Sequence, residues 1–493
     1  MIKLFNTSTI FSILGNNDSL VPMAIKDTAN SLGLTVGAYI TGKETESQDR
    51  FIDEFGTQAI WLLGIPTYKK ILDIALFKPF GLDAGVDVGV LKDPKVFELA
   101  KEYAKKHDEK FKDDKNVKKI AKSLEDITTK QRTFKGLTFG KFVASTLLTI
   151  LSYGALTDFR QKYRENKIKK EFFERQAKEE ANKKFQNNLI FTSKSFDKVH
   201  GVNDKKDKNP SFTGSFHSFV SDLMFSPVKN TMLVDGAIST GRLRKSQNSQ
   251  EFLTYLWKEG CFWFFIYFAG QQFKNLLERH SLNKHNIPIN LDARIVESEE
   301  LKKALLEGTI MDNLHEFPVG LSDKDAEVYK FVNDRQDNLI VKMAKKSEVI
   351  KTIEIKDKEG KVIDYAIDNR KYIDAQDIIG LKDKLKLFRD KGEEFVAQEA
   401  KALKKSVEQL TETERTTALN KYLKKVINGN RWATIKNIGA CIGFLGVLMP
   451  GAIVAWRKLD KNNNAYRVRE DIERKLQSGM GGQSPLLNGD GYA

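Results

Sequence analysis

Residues Asn437 to Trp456 read NIGACIGFLGVLMPGAIVAW, a run of twenty positions without a charged side chain. A helix of about 20 residues is long enough to cross a hydrocarbon core roughly 30 Å thick. Basic residues flank the run, with Lys436 before it and Arg457 and Lys458 after it. The stretch therefore predicts a transmembrane helix, and the chain is expected to be an all-α integral membrane protein.

The composition limits how much of the chain can lie in lipid. The 493 residues carry a formal net charge of +15 and have a mean hydropathy of -0.42, which excludes a channel with most of its mass in the bilayer. The positive charge favours anionic lipid headgroups as partners. Nucleic acid is a disfavoured partner, because the basic helix from Arg160 to Lys184 carries many carboxylates and matches no nucleic-acid-binding motif.

A second apolar stretch, residues 137–156, predicts another transmembrane helix, and a long basic helix is expected over residues 158–187. In both long spans an aromatic residue and an arginine follow the apolar stretch. Aromatic rings favour the headgroup level, and an arginine just beyond them can pair with lipid phosphate. The residues predicted at the membrane interface are Phe159, Arg160, Trp456 and Arg457.

Two shorter aromatic segments, at about residues 51–72 and 251–278, are also expected in the membrane. Pro66 interrupts the first, and Lys258 and Glu259 lie inside the second. Their uncharged parts are short for a full crossing. They are expected either to span the bilayer or to re-enter it.

A pattern recurs in the same order in the two halves of the chain: a small-residue helix, an aromatic segment, a charged region, a long span and a basic tail. Gly154-Ala155-Leu156 aligns without a gap with Gly451-Ala452-Ile453. The sequence therefore predicts two tandem repeats. The repeated small-residue motif, GAYITGK and GAISTGR, contains the glycines Gly37, Gly42, Gly236 and Gly241.

The remaining segments are assigned by composition. Residues 1–200 form the first repeat, and residues 201–250 form a linker and the start of the second. A polar helical insert is predicted over 279–433, with a β-hairpin over 352–367 where hydrophobicity alternates. Residues 434–476 are expected to hold the last transmembrane helix and a second basic helix, and the Gly-rich residues 477–493 are expected to be a disordered tail.

Gly439, Gly443 and Gly446 lie at helical spacing in the last span. Small residues at this spacing allow another helix to approach closely. They predict a packing face for a protein partner or for a second copy of the chain.

No catalytic, cofactor-binding or metal site is predicted. The near-match to a phosphate-binding loop from Gly37 to Lys43 has Glu44 where a serine or threonine is needed, and its carboxylate would repel phosphate. The six histidines show no metal-ligand spacing. An enzyme is therefore not expected.

The favoured function is a non-enzymatic, membrane-anchored scaffold or envelope-organising protein. The alternative is a transporter or lipid-handling protein with a cavity between the duplicated halves. The distribution of basic flanks favours a bacterial cytoplasmic membrane with both termini in the cytoplasm. A polar cavity that both copies line would favour transport, whereas two solid bundles would favour the scaffold.

Overall fold

The computed structural model describes residues 6–16, 19–111, 114–186, 227–244, 246, 249–318, 324–356, 359, 361–460 and 467–479. Over these residues the chain is mostly helical with one two-stranded antiparallel sheet, so the predicted helical class and small β-hairpin are confirmed. The linker residues 201–226 and the tail residues 480–493 lie outside the described residues. Residues 477–479, predicted as the start of the tail, end a helix.

The α-helices of the first half are α1 (Thr7–Gly15), α2 (Leu20–Ala59), α3 (Ile65–Leu72), α4 (Pro94–Lys110), α5 (Lys115–Thr128) and α6 (Gln131–Gln186). Those of the second half are α7 (Pro227–Arg244), α8 (Ser249–Trp263), α9 (Gly270–His285), α10 (Ala293–Val296), α11 (Glu299–Leu306), α12 (Ile310–His315), α13 (Lys324–Asp334), α14 (Leu339–Lys346), α15 (Ala375–Ala402), α16 (Glu412–Gly443), α17 (Met449–Leu459) and α18 (Val468–Gly479). The strands are β1 (Thr352–Lys356) and β2 (Val362–Ile367). Turns of π-helix occupy Ile60–Gly64, Asp73–Phe77, Phe264–Ala269 and Phe444–Leu448.

Helix α2 reverses direction near Gly42. The Ser47 hydroxyl donates to the carbonyl oxygen of Thr35 at 3.1 Å. In a straight α-helix, groups twelve residues apart would be separated by about 18 Å along the axis. The two parts of α2 therefore run antiparallel, and we call residues 20–42 the outgoing arm and residues 43–77 the returning arm of the first hairpin.

The second half contains a similar hairpin. Its outgoing arm is α7 and its returning arm is residues 249–285, which include α8 and α9. The Ser239 hydroxyl of the outgoing arm donates to Glu259 Oε2 of the returning arm at 2.6 Å. The predicted aromatic segments are thus parts of the two returning arms.

The predicted interruption at Pro66 is a π-helical turn within a continuing helix. Pro66 and Pro450 each lie in the first turn of the helix that follows a π-helical segment. A proline lacks an N–H donor and its ring crowds the preceding turn, and a widened turn relieves that conflict. The returning arm is therefore longer than the segment predicted at residues 51–72.

The returning arm of the first hairpin packs antiparallel along α6. Tyr68 and Ser152 share a side-chain hydrogen bond of 2.5 Å, and the rings of Phe77 and Phe134 lie 5.6 Å apart. Later residues of the returning arm thus contact earlier residues of α6. We call α6 the first long helix.

The outgoing arm of the first hairpin packs against the other end of the chain. Helix α16, the π-helical turn Phe444–Leu448 and α17 form one continuous helix, which we call the last long helix. A Cβ atom added to Gly33 would lie 2.2 Å from the carbonyl oxygen of Gly446, and one added to Gly37 would lie 3.2 Å from Val454 Cγ2. Small residues let these two helices approach at backbone distance.

Residues 78–130 and 286–430 share one large hydrophobic core, and we call them together the polar domain. The core includes fully buried Tyr329, Phe388 and Tyr422, and the Tyr422 hydroxyl donates to the carbonyl oxygen of Phe388 at 2.6 Å. The predicted polar insert and the charged region of the first half thus fold together around one core.

The sheet is attached to the polar domain through Asp114. Strands β1 and β2 pair antiparallel, with Thr352 opposite Ile367. Asp114 caps α5 by accepting from the backbone N–H of Asn116 at 2.7 Å, and it also accepts from that of Lys356 at 3.0 Å. One carboxylate therefore fixes both a helix start and a strand end.

His107 is partly buried where α4 meets the loop after β2, and its Nδ1 lies 3.3 Å from Asn369 Nδ2. Burial lowers the pKa of His107, and the positive charges of Lys110 and Lys345 act in the same direction. The imidazole is therefore neutral at neutral pH, and its Nδ1 can accept from the Asn369 amide.

Two described helices are long and apolar enough to span a membrane: residues 131–179 of the first long helix and residues 412–459 of the last long helix. They contain the two apolar stretches predicted from the sequence. The polar domain lies at their N-terminal ends, since its core includes Phe134 and Ala433.

Candidate functional site

Charged side chains are buried between the two hairpins and the long helices. Burying a charge is costly unless it is paired and hydrogen-bonded. The buried charged residues of this region, each less than one-tenth exposed, are Lys26, Asp27, Glu46, Asp49, Arg50, Asp53, Glu54, Arg160, Arg164, Asp235, Arg242, Glu251, Lys258, Glu259 and Arg457. We call them the charge network.

Part of the charge network surrounds a small cavity of about 20 Å³. The volume is sufficient for one water molecule. Both hairpins line the cavity, which is bounded by Asp27, Asn30, Glu54, Thr57, Trp61, Asp235, Ile238, Ser239, Arg242, Lys258, Glu259 and Phe262. We call it the central cavity.

Ion pairs join the two hairpins across the central cavity. Lys258 Nζ of the second hairpin lies 2.6 Å from Glu54 Oε1 of the first. Arg242 binds Glu259 Oε1 at 2.6 Å within its own hairpin and reaches Asp53 Oδ1 of the first hairpin at 3.3 Å. Both cations are thus paired, and each bridges the halves of the chain.

Arg242 also contacts the first long helix. Its Nε donates to the Tyr153 hydroxyl at 2.6 Å, and the guanidinium carbon lies 5.3 Å from the centre of the same ring. The outgoing arm of each hairpin therefore contacts the long helix of the other half: Arg242 meets Tyr153, as Gly33 meets Gly446.

Two carboxyl groups of the central cavity have aromatic partners instead of cations. Trp61 Nε1 donates to Asp27 Oδ2 at 3.0 Å, and the Tyr267 hydroxyl hydrogen-bonds to Asp235 Oδ2. Neither aspartate forms an ion pair within 4.0 Å among the described residues. The two contacts correspond, because each joins an aspartate of an outgoing arm to an aromatic residue of the returning arm.

A further part of the charge network lies at the reversal of the first hairpin. Arg160 Nη1 is 2.9 Å from Asp53 Oδ2, Arg164 Nη1 is 3.2 Å from Asp49 Oδ2, and Arg457 Nη1 is 2.7 Å from Glu46 Oε1. The C-terminal ends of both apolar stretches therefore meet at the same end of the helix bundle.

This placement differs from the one predicted for the two arginines. Arg160 and Arg457 are buried and bind carboxylates, so their guanidinium groups do not face outward toward lipid phosphates. The physical reason is that the returning arm supplies acidic partners within reach, which the sequence pattern of the span ends could not reveal. Phe159 and Trp456 are 60% and 41% exposed, and their rings do point outward.

The glycines of the last span differ in their contacts within the chain. Gly446 packs against Ala29, whose carbonyl oxygen would lie 3.1 Å from an added Cβ. An added Cβ at Gly439 or Gly443 would meet no atom within 4 Å. Only Gly446 is thus used for contact within the described part of the chain.

The repeat-motif glycines have dissimilar surroundings. Gly37 faces Val454 of the last long helix, whereas Gly236 faces Trp263 of its own hairpin. An added Cβ at Gly42 would overlap the Glu46 side chain at 1.4 Å, while one at Gly241 would meet nothing within 4 Å. The two hairpins do resemble each other in the hydrogen bonds that Asp27 and Asp235 accept from the returning arms.

The sequence contains two signals for this site. Ala29, Gly33 and Gly37 recur at intervals of four, the same spacing as that of Gly439 and Gly443, and small residues at this spacing favour a close helix contact. Residues 27–31 and 235–239 read DTANS and DGAIS and share Asp, Ala and Ser. The pairing of these segments across the chain depends on tertiary contacts and could not be derived from spacing.

A larger polar pocket of about 350 Å³ lies where the polar domain meets the last long helix. It is lined by amides, by both signs of charge and by backbone, including Asn430, Asn437, Lys274, Asp292 and Lys384. Its volume lies within the range of small-molecule sites. The buried amide oxygen of Asn437 has no hydrogen-bond partner in the described part of the chain.

An apolar cluster separates the polar pocket from the central cavity. Met23, Trp61, Tyr153, Ile266 and Leu445 are buried in it. Leu445 lies two helical turns after Asn437 on the last long helix, which is about 12 Å. Along this helix the polar pocket is thus followed by the apolar cluster, and Trp61 of that cluster also borders the central cavity.

Among the described residues, no group of three or more His, Cys, Asp and Glu side chains is arranged to hold a metal ion. Comparison of the chain with protein-family models, with curated proteins and with solved structures found no match. The candidate site is therefore judged on its own geometry.

Proposed function

We propose that the chain is an integral membrane transporter whose translocation path runs between its two halves. The observation that carries the proposal is the central cavity, which both hairpins line with ionisable side chains. Such groups are expensive inside a membrane and usually mark the path of an ion or a polar solute. Sites of this kind typically lie at the interface of internal repeats.

The exposed surface of the helix bundle supports placement in a membrane. Leu151 and Val447, in the apolar stretches of the two long helices, are 68% and 66% exposed, and Leu63 of the first returning arm is 69% exposed. A core helix of a water-soluble protein would bury such side chains. Aliphatic residues exposed on three packed helices fit contact with lipid.

Duplication of one unit accounts for the contacts of the hairpins. In each half the outgoing arm packs on the long helix of the other half, and an aspartate accepts a hydrogen bond from the returning arm. When the two halves are compared, Asp27 occupies the position equivalent to Asp235, and Tyr153 the position equivalent to Pro450. Repeats whose long helices end on the same side correspond to parallel duplication, with an axis along the membrane normal.

The charge distribution supports a cytoplasmic C-terminus in a bacterial membrane. The N-terminal helix α1 lies at the opposite face, where the Ser12 hydroxyl donates to Asp292 Oδ2 of the polar domain at 2.6 Å, so this orientation does not keep both termini in the cytoplasm as the sequence predicted. The reversal of the first hairpin and the ends of both spans share one face of the bundle, where the exposed lysines include Lys162, Lys169, Lys170 and Lys458. Under the positive-inside rule this face is cytoplasmic. These lysines, and not the buried arginines, are suited to bind anionic headgroups.

The polar pocket is the proposed entry site for substrate from the opposite face. Its mixed charges and amides suit a small zwitterionic solute such as an amino acid. The apolar cluster around Leu445 then acts as the closed gate between the pocket and the central cavity. Its opening would give alternating access to the two sides.

Uptake into liposomes tests the proposal. The full chain, reconstituted in vesicles of phosphatidylcholine and phosphatidylglycerol, should accumulate solutes from a mixture of radiolabelled amino acids several-fold above empty vesicles. Replacement of the pocket residue Asn437→Leu should abolish most of this uptake, whereas Gly439→Ala, which meets no neighbouring atom, should leave it unchanged.

The opposing outcome would favour the non-enzymatic scaffold function. If the folded, inserted protein transports neither amino acids nor ions, the charge network only stabilises the packing of the helices. The open surfaces of Gly439 and Gly443 favour this second candidate, because they would fit a partner helix or a second copy of the chain. Cross-linking of Gly439→Cys between copies would then be expected.

A further inference from the structure

The charges that line the central cavity do not balance. Four carboxyl groups and two cationic groups border it, which leaves two carboxyl groups without a charge partner. The ion pairs of Lys258 with Glu54 and of Arg242 with Glu259 identify the two as Asp27 and Asp235. Their contacts with Trp61 and Tyr267 supply hydrogen bonds but no neutralising charge.

Asn30 provides a second and independent indication of a ligand. Its side chain is 1% exposed and borders the central cavity one helical turn after Asp27. Neither the amide nitrogen nor the amide oxygen has a hydrogen-bond partner among the residues that the structure describes. Buried amides are almost always satisfied, so a water molecule in the cavity is the expected partner.

We propose that Asp27 and Asp235 are the proton-carrying groups of the transporter and that a water molecule held by Asn30 exchanges protons with them. The step is the transfer of one proton from a hydronium ion at that water position to one carboxylate oxygen: one O–H bond of the hydronium breaks, the O–H bond of the carboxyl group forms, and neutral water remains. The reverse step releases the proton. The inference rests on the proposed transport function, whose coupling ion it names.

The surroundings favour a proton over a metal cation. Arg242 and Lys258 border the same cavity and would repel a bound sodium ion, whereas a proton is bound covalently and removes the charge of the carboxylate. A neutral carboxylic acid is also much cheaper to bury than an unpaired carboxylate. The charged and titratable groups that face the two aspartates from all adjoining elements are Glu54, Arg242, Lys258, Glu259 and Tyr267.

Infrared difference spectroscopy on the full chain in lipid vesicles tests the assignment directly. At neutral pH the wild type should show the carbonyl band of protonated carboxyl groups, shifted in heavy water. Asp27→Asn and Asp235→Asn should each remove about half of the band that titrates with pH, and the double variant should remove all of it. Asparagine keeps the oxygen that accepts from Trp61 or Tyr267, so the variants are expected to fold.

The exposed Asp383→Asn serves as the matched control and should leave the band unchanged. A wild-type protein without the band from about pH 5 to about pH 9 would overturn the proposal. Loss of the band when sodium replaces choline would also overturn it, since the site would then hold sodium. The band does not depend on transport, so its absence alongside measured uptake refutes only the proton site.

Discussion

Replacing Gly33 with alanine should destabilise the protein, although alanine normally favours a helix over glycine. The added methyl group would lie 2.2 Å from the carbonyl oxygen of Gly446, a backbone atom that cannot rotate away. Separating the outgoing arm from the last long helix to relieve this overlap should cost about 1–3 kcal/mol. Thermal unfolding of purified Gly33→Ala in detergent measures the loss.

Gly439→Ala is the matched control in the last long helix, because its methyl group would meet no atom within 4 Å. Its midpoint should equal or slightly exceed that of the wild type, as helix propensity alone predicts. Equal stability of the Gly33 and Gly439 variants would show that the outgoing arm does not pack on Gly446.

Replacing Arg242 with glutamine should cause a still larger loss of stability. The guanidinium holds Glu259 Oε1 at 2.6 Å and Asp53 Oδ1 at 3.3 Å, and its own side chain is 6% exposed. Removing one partner from a buried ion pair leaves uncompensated charge and typically costs about 3–5 kcal/mol. Denaturant unfolding in mixed micelles measures this loss. The midpoint denaturant concentration should fall, while the dependence of the free energy of unfolding on denaturant concentration stays the same.

Lys106→Gln is the control, because it removes an exposed ion pair instead of a buried one. Lys106 and Glu102 form an exposed pair on α4, with side chains 56% and 55% exposed. Such a pair is worth at most about 1 kcal/mol. If Arg242→Gln unfolds at the same denaturant concentration as Lys106→Gln, the charge network is open to solvent.

Much of the helical architecture follows from the sequence, because the apolar stretches and the alternating residues of 352–367 are local signals. The first long helix and the last long helix contain the two predicted stretches, and β1 and β2 form the predicted hairpin. The sequence predicts a helix that ends at Gly42, but the antiparallel return of the following residues was not predicted, since a local pattern does not show which way the next helix runs. It is revealed by the contacts of Ser47 with Thr35 and of Trp61 with Asp27.

The candidate site was missed for a related reason. Asp27, Asp53 and Glu54 stand in polar sequence, where ionisable residues are expected at a surface. Their burial arises because the first hairpin folds back and meets Arg160 and Arg242, which lie more than one hundred residues away. Lys258 and Glu259 did stand out within an aromatic segment, and they do face the central cavity.

Disulfide trapping in native membranes tests most directly whether the two halves pack across each other. In a background of Cys261→Ser and Cys441→Ala, the pair Gly37→Cys and Val454→Cys joins the outgoing arm to the last long helix. An added Cβ at residue 37 would lie 3.2 Å from Val454 Cγ2, a position that the sulfur of a cysteine at residue 454 could take, so the two side chains are close enough to be cross-linked. We expect rapid, near-complete cross-linking for this pair and none for Gly37→Cys with Gly439→Cys. If both cysteines of the first pair react with maleimide yet form no disulfide, the two halves do not pack as described.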